Sequence, residues 1–195
     1  MFTNDIPESW PWAAALAAGL WIAALITHRI ARPIVLRLVR RSPLLHTMLT
    51  RCSRALQWVL PLVLTQLLWQ AMPEDMRGLR TAMHVNGVLI IAALTWLAVS
   101  AIRGLADGVV AAHPANIADN LQARRIHTQT RVLSRIGSSV ALVVGLAFVL
   151  MTFPQVRQLG ASLLASAGVA GLVLGIAARS VFGNLLAGLQ IALAQ

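Results

Sequence analysis

The chain has 195 residues, 58% of them apolar and only 11% charged, with a mean hydropathy of +0.75. Soluble domains are nearer a quarter charged, so this composition cannot clothe a globule in water-compatible surface. Disorder needs low hydrophobicity and a disulfide scaffold needs more than the lone Cys52, which leaves an integral membrane protein.

In chain order, the first uncharged apolar run is Trp10 to Thr27. Asp5 and Glu8 precede it in place of a basic region, so it does not read as a signal peptide. His28 to Leu45 predicts a continuing arginine-rich helix, bent near Arg32-Pro33. The second run, Ala55 to Met72, is interrupted by Pro61, Gln57, Gln66 and Gln70. The third is Val85 to Ile102, and 116–135 predicts a helix leading directly into the fourth, Ile136 to Phe153. The fifth stays uncharged from Gly160 to Ala178 and resumes after Arg179. Each of the first four is just long enough to cross a bilayer core as a helix. The fold class predicted is all-α, with five transmembrane helices and a kinked last one.

The sixteen basic residues, all arginine, outnumber six acids. A strongly basic chain can point to nucleic acid, but arginines flanking membrane spans fit an apolar chain better. Residues 28–54 carry seven arginines and no acid, and 103–135 carry five against Asp107 and Asp119. The intervening 73–80 is balanced, with Glu74 and Asp75 against Arg77 and Arg80. The positive-inside rule then places the first and third loops, and the carboxyl end, in the cytoplasm and the amino end outside. Arg29, Arg32, Arg37, Arg40, Arg41, Arg124 and Arg125 are the candidates for contact with anionic lipid headgroups, each contributing about 1 kcal/mol. Setting topology is the plainer role for the same charges.

Catalytic and metal chemistry find no footing. No Asp or Glu lies inside a span, where a proton- or ion-coupled transporter would need one. The five histidines (28, 46, 84, 113, 127) lack ligand spacing, so neither metal nor cofactor is expected. Ser138, Ser139, Ser162 and Ser166 sit near glycines with no elbow motif or intramembrane base, which fits close helix packing better than proteolysis. Cys52, in a cytoplasmic loop, reads as an inert thiol before it reads as a palmitoylation site.

The fifth run, GASLLASAGVAGLVLGIAARSVFGNLLAGLQIALAQ, is unlike the others. Gly168, Gly171 and Gly175 share one helical face, with Ala165 beside them, and such a face lets backbones come close. Leu172 and Ile176, one turn apart, would form two apolar rings if several copies packed around an axis, and such a constriction gates by dewetting. The same spacing equally fits lipid-facing or core residues. Arg179, Ser180, Gly183 and Asn184 predict a break or kink, after which about twelve residues are too few to cross again and would lie along the interface.

This stretch resembles the pore helix of small-conductance mechanosensitive (MscS-like) channels. Their motif is a Gly/Ala-rich span with two apolar gate residues, a kink, and an amphipathic half containing Asn-Leu-x-Ala-Gly, here Asn184 to Gly188. The likeness is specific over 160–195 and weaker over span four. It implies a homoheptamer in a bacterial inner membrane, a weakly selective pore gated at Leu172 and Ile176, outer spans that contact phospholipids and feel tension, and protection against osmotic shock. Residues 1–135 would be peripheral sensor helices, 136–159 the fourth span with its outer loop, 160–182 the spanning and 183–195 the interfacial half of the pore helix. Ser180 stands where the family commonly has a kink glycine, so Gly183 would carry the bend. Val169 and Val173 stand where alanine knobs are usual. Arg179 would set a positive ring at the inner mouth and bias the pore toward anions. Members continue into a cytoplasmic β-domain and α/β cage, so this chain reads as a membrane portion. A transporter or lipid-handling protein, and a non-conducting oligomeric scaffold, are the alternatives. None of these is an enzyme.

The topology is directly testable. A reporter enzyme active only in the cytoplasm should be active when fused after Gln195 and silent when placed within 73–80. The reverse pattern would overturn the orientation of every span.

Overall fold

In the computed structural model, residues 10–39, 42–72, 78–113 and 121–193 are described. They form five helices: α1 (Trp10–Leu38), α2 (Pro43–Gln70), α3 (Leu79–Ala112), α4 (Leu121–Met151) and α5 (Arg157–Leu193), with no strand among the described residues. In hydrocarbon a backbone must satisfy its own polar groups, and helices do this within one segment. The apolar runs therefore close as helices wherever turn chemistry permits.

The turns fall where local chemistry puts them. The arginine-rich extension of α1 continues through Pro33 but ends at Leu38, short of the expected Leu45. There Ser42 N–H donates to the Val39 carbonyl, and Pro43 opens α2 at a position where its missing donor costs nothing. α2 thus begins well before Ala55. Gly78 precedes α3 at φ 84°, a left-handed conformation that glycine adopts without a Cβ penalty. Thr152 donates its hydroxyl to the Val149 carbonyl, and Phe153 N–H bonds the Leu150 carbonyl, closing the tight α4–α5 turn.

Successive helices pack antiparallel in chain order, α1 on α2, α2 on α3, α3 on α4 and α4 on α5; no other pair of described helices runs close along its backbone. The result is an open layer. One end gathers the carboxyl ends of α1, α3 and α5 with the amino ends of α2 and α4, and most of the described arginines lie there.

Glycines set the closest approaches. A Cβ added at Gly104 would lie 2.7 Å from the Met48 Cα, and one at Gly108 would lie 2.8 Å from the Leu44 Cα. The pair in α3 is spaced by four and meets residues in α2 spaced by four, a small-xxx-small contact of backbone on backbone. Gly145 of α4 leaves room for the Thr95 side chain of α3, and Gly160 of α5 sits against the Ala147 carbonyl and Met151 of α4.

Polar side chains inside the layer bond across helices. Asn86, buried in α3, donates its amide to the Leu62 carbonyl at 3.0 Å and the Gln66 side chain at 2.7 Å. Trp21 of α1 donates its indole N–H to the Thr65 hydroxyl at 2.9 Å, and Thr65 donates onward to the Pro61 carbonyl at 2.8 Å. Trp21 also meets Trp58 edge-on, with ring centroids 6.0 Å apart. Small apolar clusters fill the spaces between: Val59, Leu62 and Ala93 mid-layer, and Ala13, Met72 and Leu79 at the end away from the arginines.

The rest of the apolar surface is outside. The chain exposes 14459 Å², against about 9,000 Å² for a compact soluble protein of this mass. Four helices (in α1, α3, α4 and α5) are long and apolar enough to cross a membrane, which marks a multi-pass helical membrane protein. α2 is not among them. It is 28 residues long, about 42 Å, but its glutamines, Thr65, Arg51 and Arg54 lower its hydropathy. Packed on both sides, it has Thr65 bonded to α1 and Gln66 and Arg51 bonded to α3.

The Gly104 contact is a test of the layer. Gly104→Ala gains helix propensity of about 1 kcal/mol but forces apart two backbones, which costs about 1–3 kcal/mol. A net loss of stability should appear on unfolding the detergent-solubilised protein in SDS. Gly87→Ala, where an added Cβ meets nothing within 4 Å, should be neutral or slightly stabilising.

Candidate functional site

α5 is the element that the layer does not enclose. It is held at its start, where buried Gly160 abuts α4. From there its environment opens, and none of its membrane-length window is buried. Added Cβ atoms at Gly168, Gly171, Gly175, Gly183 and Gly188 would meet nothing within 4 Å. The contrast with Gly104, Gly108, Gly145 and Gly160 is direct: those four accommodate a neighbour of this chain, and the glycines farther along α5 do not.

At 100° per residue, Gly171, Gly175 and Gly168 cover about 60° of the helix circumference, and Leu172 and Ile176 occupy the adjoining arc of about 80°. Leu172 is 65% exposed and Ile176 66%, and Ala165 and Arg179 are exposed too. Arg179 falls on the same arc, between the glycines and Leu172. The structure thus keeps this set together on one side of α5 and gives it no partner among the described residues.

The expected break at Arg179 to Asn184 is not present as an interruption of helix. α5 runs without a gap from Arg157 to Leu193, with Ser180, Gly183 and Asn184 inside it and exposed. The physical reason is plain: a glycine costs a helix only about 1 kcal/mol, and no proline lies in the segment.

The arginines group by position. Arg29 and Arg32 of α1 line a cavity of about 600 Å³ with His28, Pro33 and Gln57. Arg37, Arg124 and Arg125 are exposed, and Arg40 and Arg41 lie outside the described residues. Arg51 of α2 forms an ion pair with Asp107 of α3 at 2.5 Å; with both side chains nearly half exposed, the pair contributes little stability. Cys52 is buried. His84 packs edge-on against Phe153, with centroids 5.0 Å apart, and the His127 ring nitrogen is 2.7 Å from the His113 carbonyl. Among the described residues no histidine, cysteine and carboxylate cluster could hold a metal ion.

No family model, curated protein or solved structure matches the chain. Residue-level geometry therefore carries the functional reading.

Sequence reasoning missed the Gly104–Gly108 contact, the Asn86–Gln66 bond and the Arg51–Asp107 pair. The GLADG spacing was a signal for the first. The other two join positions far apart in sequence and have no local signature.

The open glycine face separates monomer folding from assembly. A Cβ added at Gly171 meets nothing within 4 Å, so Gly171→Leu should leave the helical content of the detergent-solubilised protein unchanged. If α5 packs against copies of itself, the same substitution should dissociate the assembly, read as a shift to monomer mass by native mass spectrometry. An intact assembly would show that this face is not between copies.

Proposed function

We propose that the protein is a tension-gated ion channel in which copies of α5 surround the pore. The observation that carries this reading is the isolation of α5: a glycine-rich face and an adjoining Leu172–Ile176 pair, both open, on a helix anchored to the rest of the layer at one end. A transmembrane helix gains nothing from burying leucine in place of lipid, so small residues that permit close backbone approach are what favour helix association. A ring of α5 helices gives each open glycine face a neighbour. The resemblance to MscS-like channels supports a ring of seven subunits.

In that ring, α2 crosses with the four more apolar helices as a fifth span, and Leu172 and Ile176 make two apolar rings facing the axis. Water in a narrow apolar ring loses hydrogen bonds that the lining cannot replace, so the pore is dry and closed. Arg179 lies below the rings toward the arginine-rich end and draws anions to the mouth. Tension does work equal to its magnitude times the gain in membrane area, and so favours a wider ring. The layer α1–α4 is the surface on which that work is done, with a bend of α5 near Gly183 accommodating the wider state.

The energies are attainable. Moving a pore from 1:99 to 99:1 open needs about 5.5 kcal/mol, or about 0.8 kcal/mol from each of seven subunits.

Recordings from membrane patches test the gate. The wild-type protein should conduct under suction. Leu172→Ser places a hydroxyl in every subunit of the ring, so the channel should open at lower tension or leak at rest, and cells expressing it should grow slowly. Leu163→Ser, nearer the anchored end of α5, should change the threshold less. An unchanged threshold for Leu172→Ser at normal expression removes Leu172 from the gate, and no conductance from an intact wild-type ring favours a scaffold.

A further inference from the structure

A cavity of about 410 Å³ lies at the arginine-rich end, walled by α2, α3 and α4. Four arginines from three helices line it: Arg51, Arg103, Arg131 and Arg135. Among the described residues Asp107 is the acid that lines it, and it pairs with Arg51, so three further guanidinium groups face the same space without a described carboxylate of their own. Like charges gathered from separate helices repel one another, and an anion between them removes that repulsion.

A second observation points the same way. Ser138 lines this cavity, is 4% exposed, and its hydroxyl has no hydrogen-bond partner among the described residues. Buried polar groups rarely go unpaired. The group that would complete the site must accept a hydroxyl proton as well as several guanidinium protons, while carrying negative charge. A phosphate fits, because its oxygens match the planar donor fork of arginine.

The depth of the cavity indicates where the phosphate comes from. Along α4 its lining passes from Arg131 and Arg135 through Ser138 and Ser139 to Leu142. Charge thus gives way to hydroxyl and then to hydrocarbon in the direction of the apolar part of the span. A free phosphate has no use for an apolar floor, whereas a phospholipid has glycerol and acyl carbons to lay on it. The net positive charge favours a headgroup with no ammonium.

The geometry points to a binding site for the phosphate of an anionic phospholipid, held by Arg103, Arg131, Arg135 and Ser138 between α2, α3 and α4. The site does not depend on channel activity. Its lining does not include Arg124 or Arg125, it adjoins a second cavity where Arg51 and Arg103 meet Arg32 of α1, and it joins α4, the helix that carries α5, to its neighbours through a bound lipid.

Native mass spectrometry of the 195-residue chain in detergent tests it, with phosphatidylglycerol, phosphatidylcholine and inorganic phosphate as probes. Phosphatidylglycerol should be retained several-fold more than phosphatidylcholine. Ser138→Ala, which deletes only a hydroxyl, and Arg135→Gln should each reduce that retention several-fold. Arg54→Gln, which removes one exposed charge at the same end but outside this cavity, should leave it unchanged. Equal retention of the two lipids would overturn the proposal, as would equal losses from Arg54→Gln and Arg135→Gln. If inorganic phosphate raises the thermal stability of the wild type but not of Arg135→Gln, while phosphatidylglycerol raises neither, the site takes free phosphate and the lipid assignment falls.

Discussion

The approach of α2 to α3 at Gly104 and Gly108 is the constraint from which the rest of the layer follows. Two backbones in contact leave no freedom in helix separation at that end, so the remaining pairings along the two helices are set by their twist and rise. Asn86 meets Gln66 and Leu62, and Arg51 meets Asp107, because the glycine contact holds the helices in that register. Inside a membrane a displaced polar group finds no water to replace its partner, so a shift of register is penalised at each of these positions. Hydrophobic burial, which organises soluble cores, has little to add where the solvent is itself hydrocarbon.

The same reasoning explains why α1 and α5 differ from the centre. α1 is tied to α2 by the Trp21–Thr65–Pro61 chain and by aromatic contact, with Ala13 and Ala24 as its buried points. α5 is tied by its turn and by Gly160. Both outer helices therefore have more latitude than the α2–α3 pair. Only α5 combines that latitude with a glycine-rich face, which is why it is the element proposed to meet copies of itself.

Much of this was legible in the sequence. The apolar runs placed the helices, loop charge separated the two ends, and the glycines and alanines after Gly160 singled out α5. Helix ends were less legible. Ser42-Pro43 starts a helix that hydropathy alone put at Ala55, because the intervening turns of α2 are polar and still helical. The continuity of α5 through Gly183 was concealed by residues that read as breakers yet cost a helix little. Asn86 was invisible as a feature because its partners lie on another helix, and the arginine cavity was invisible because its residues come from three.

The α4–α5 turn has a mechanical consequence. A helix gripped at one end and unbroken beyond it is a lever whose fulcrum is Gly160. Leu172 and Ile176 stand about 18 and 24 Å from that fulcrum at a rise of 1.5 Å per residue. A swing of about 10° then carries them sideways by about 3 and 4 Å, roughly the diameter of a water molecule, with α4 unmoved. Small angular adjustments at the turn are thus magnified into displacements of molecular size at the two apolar side chains.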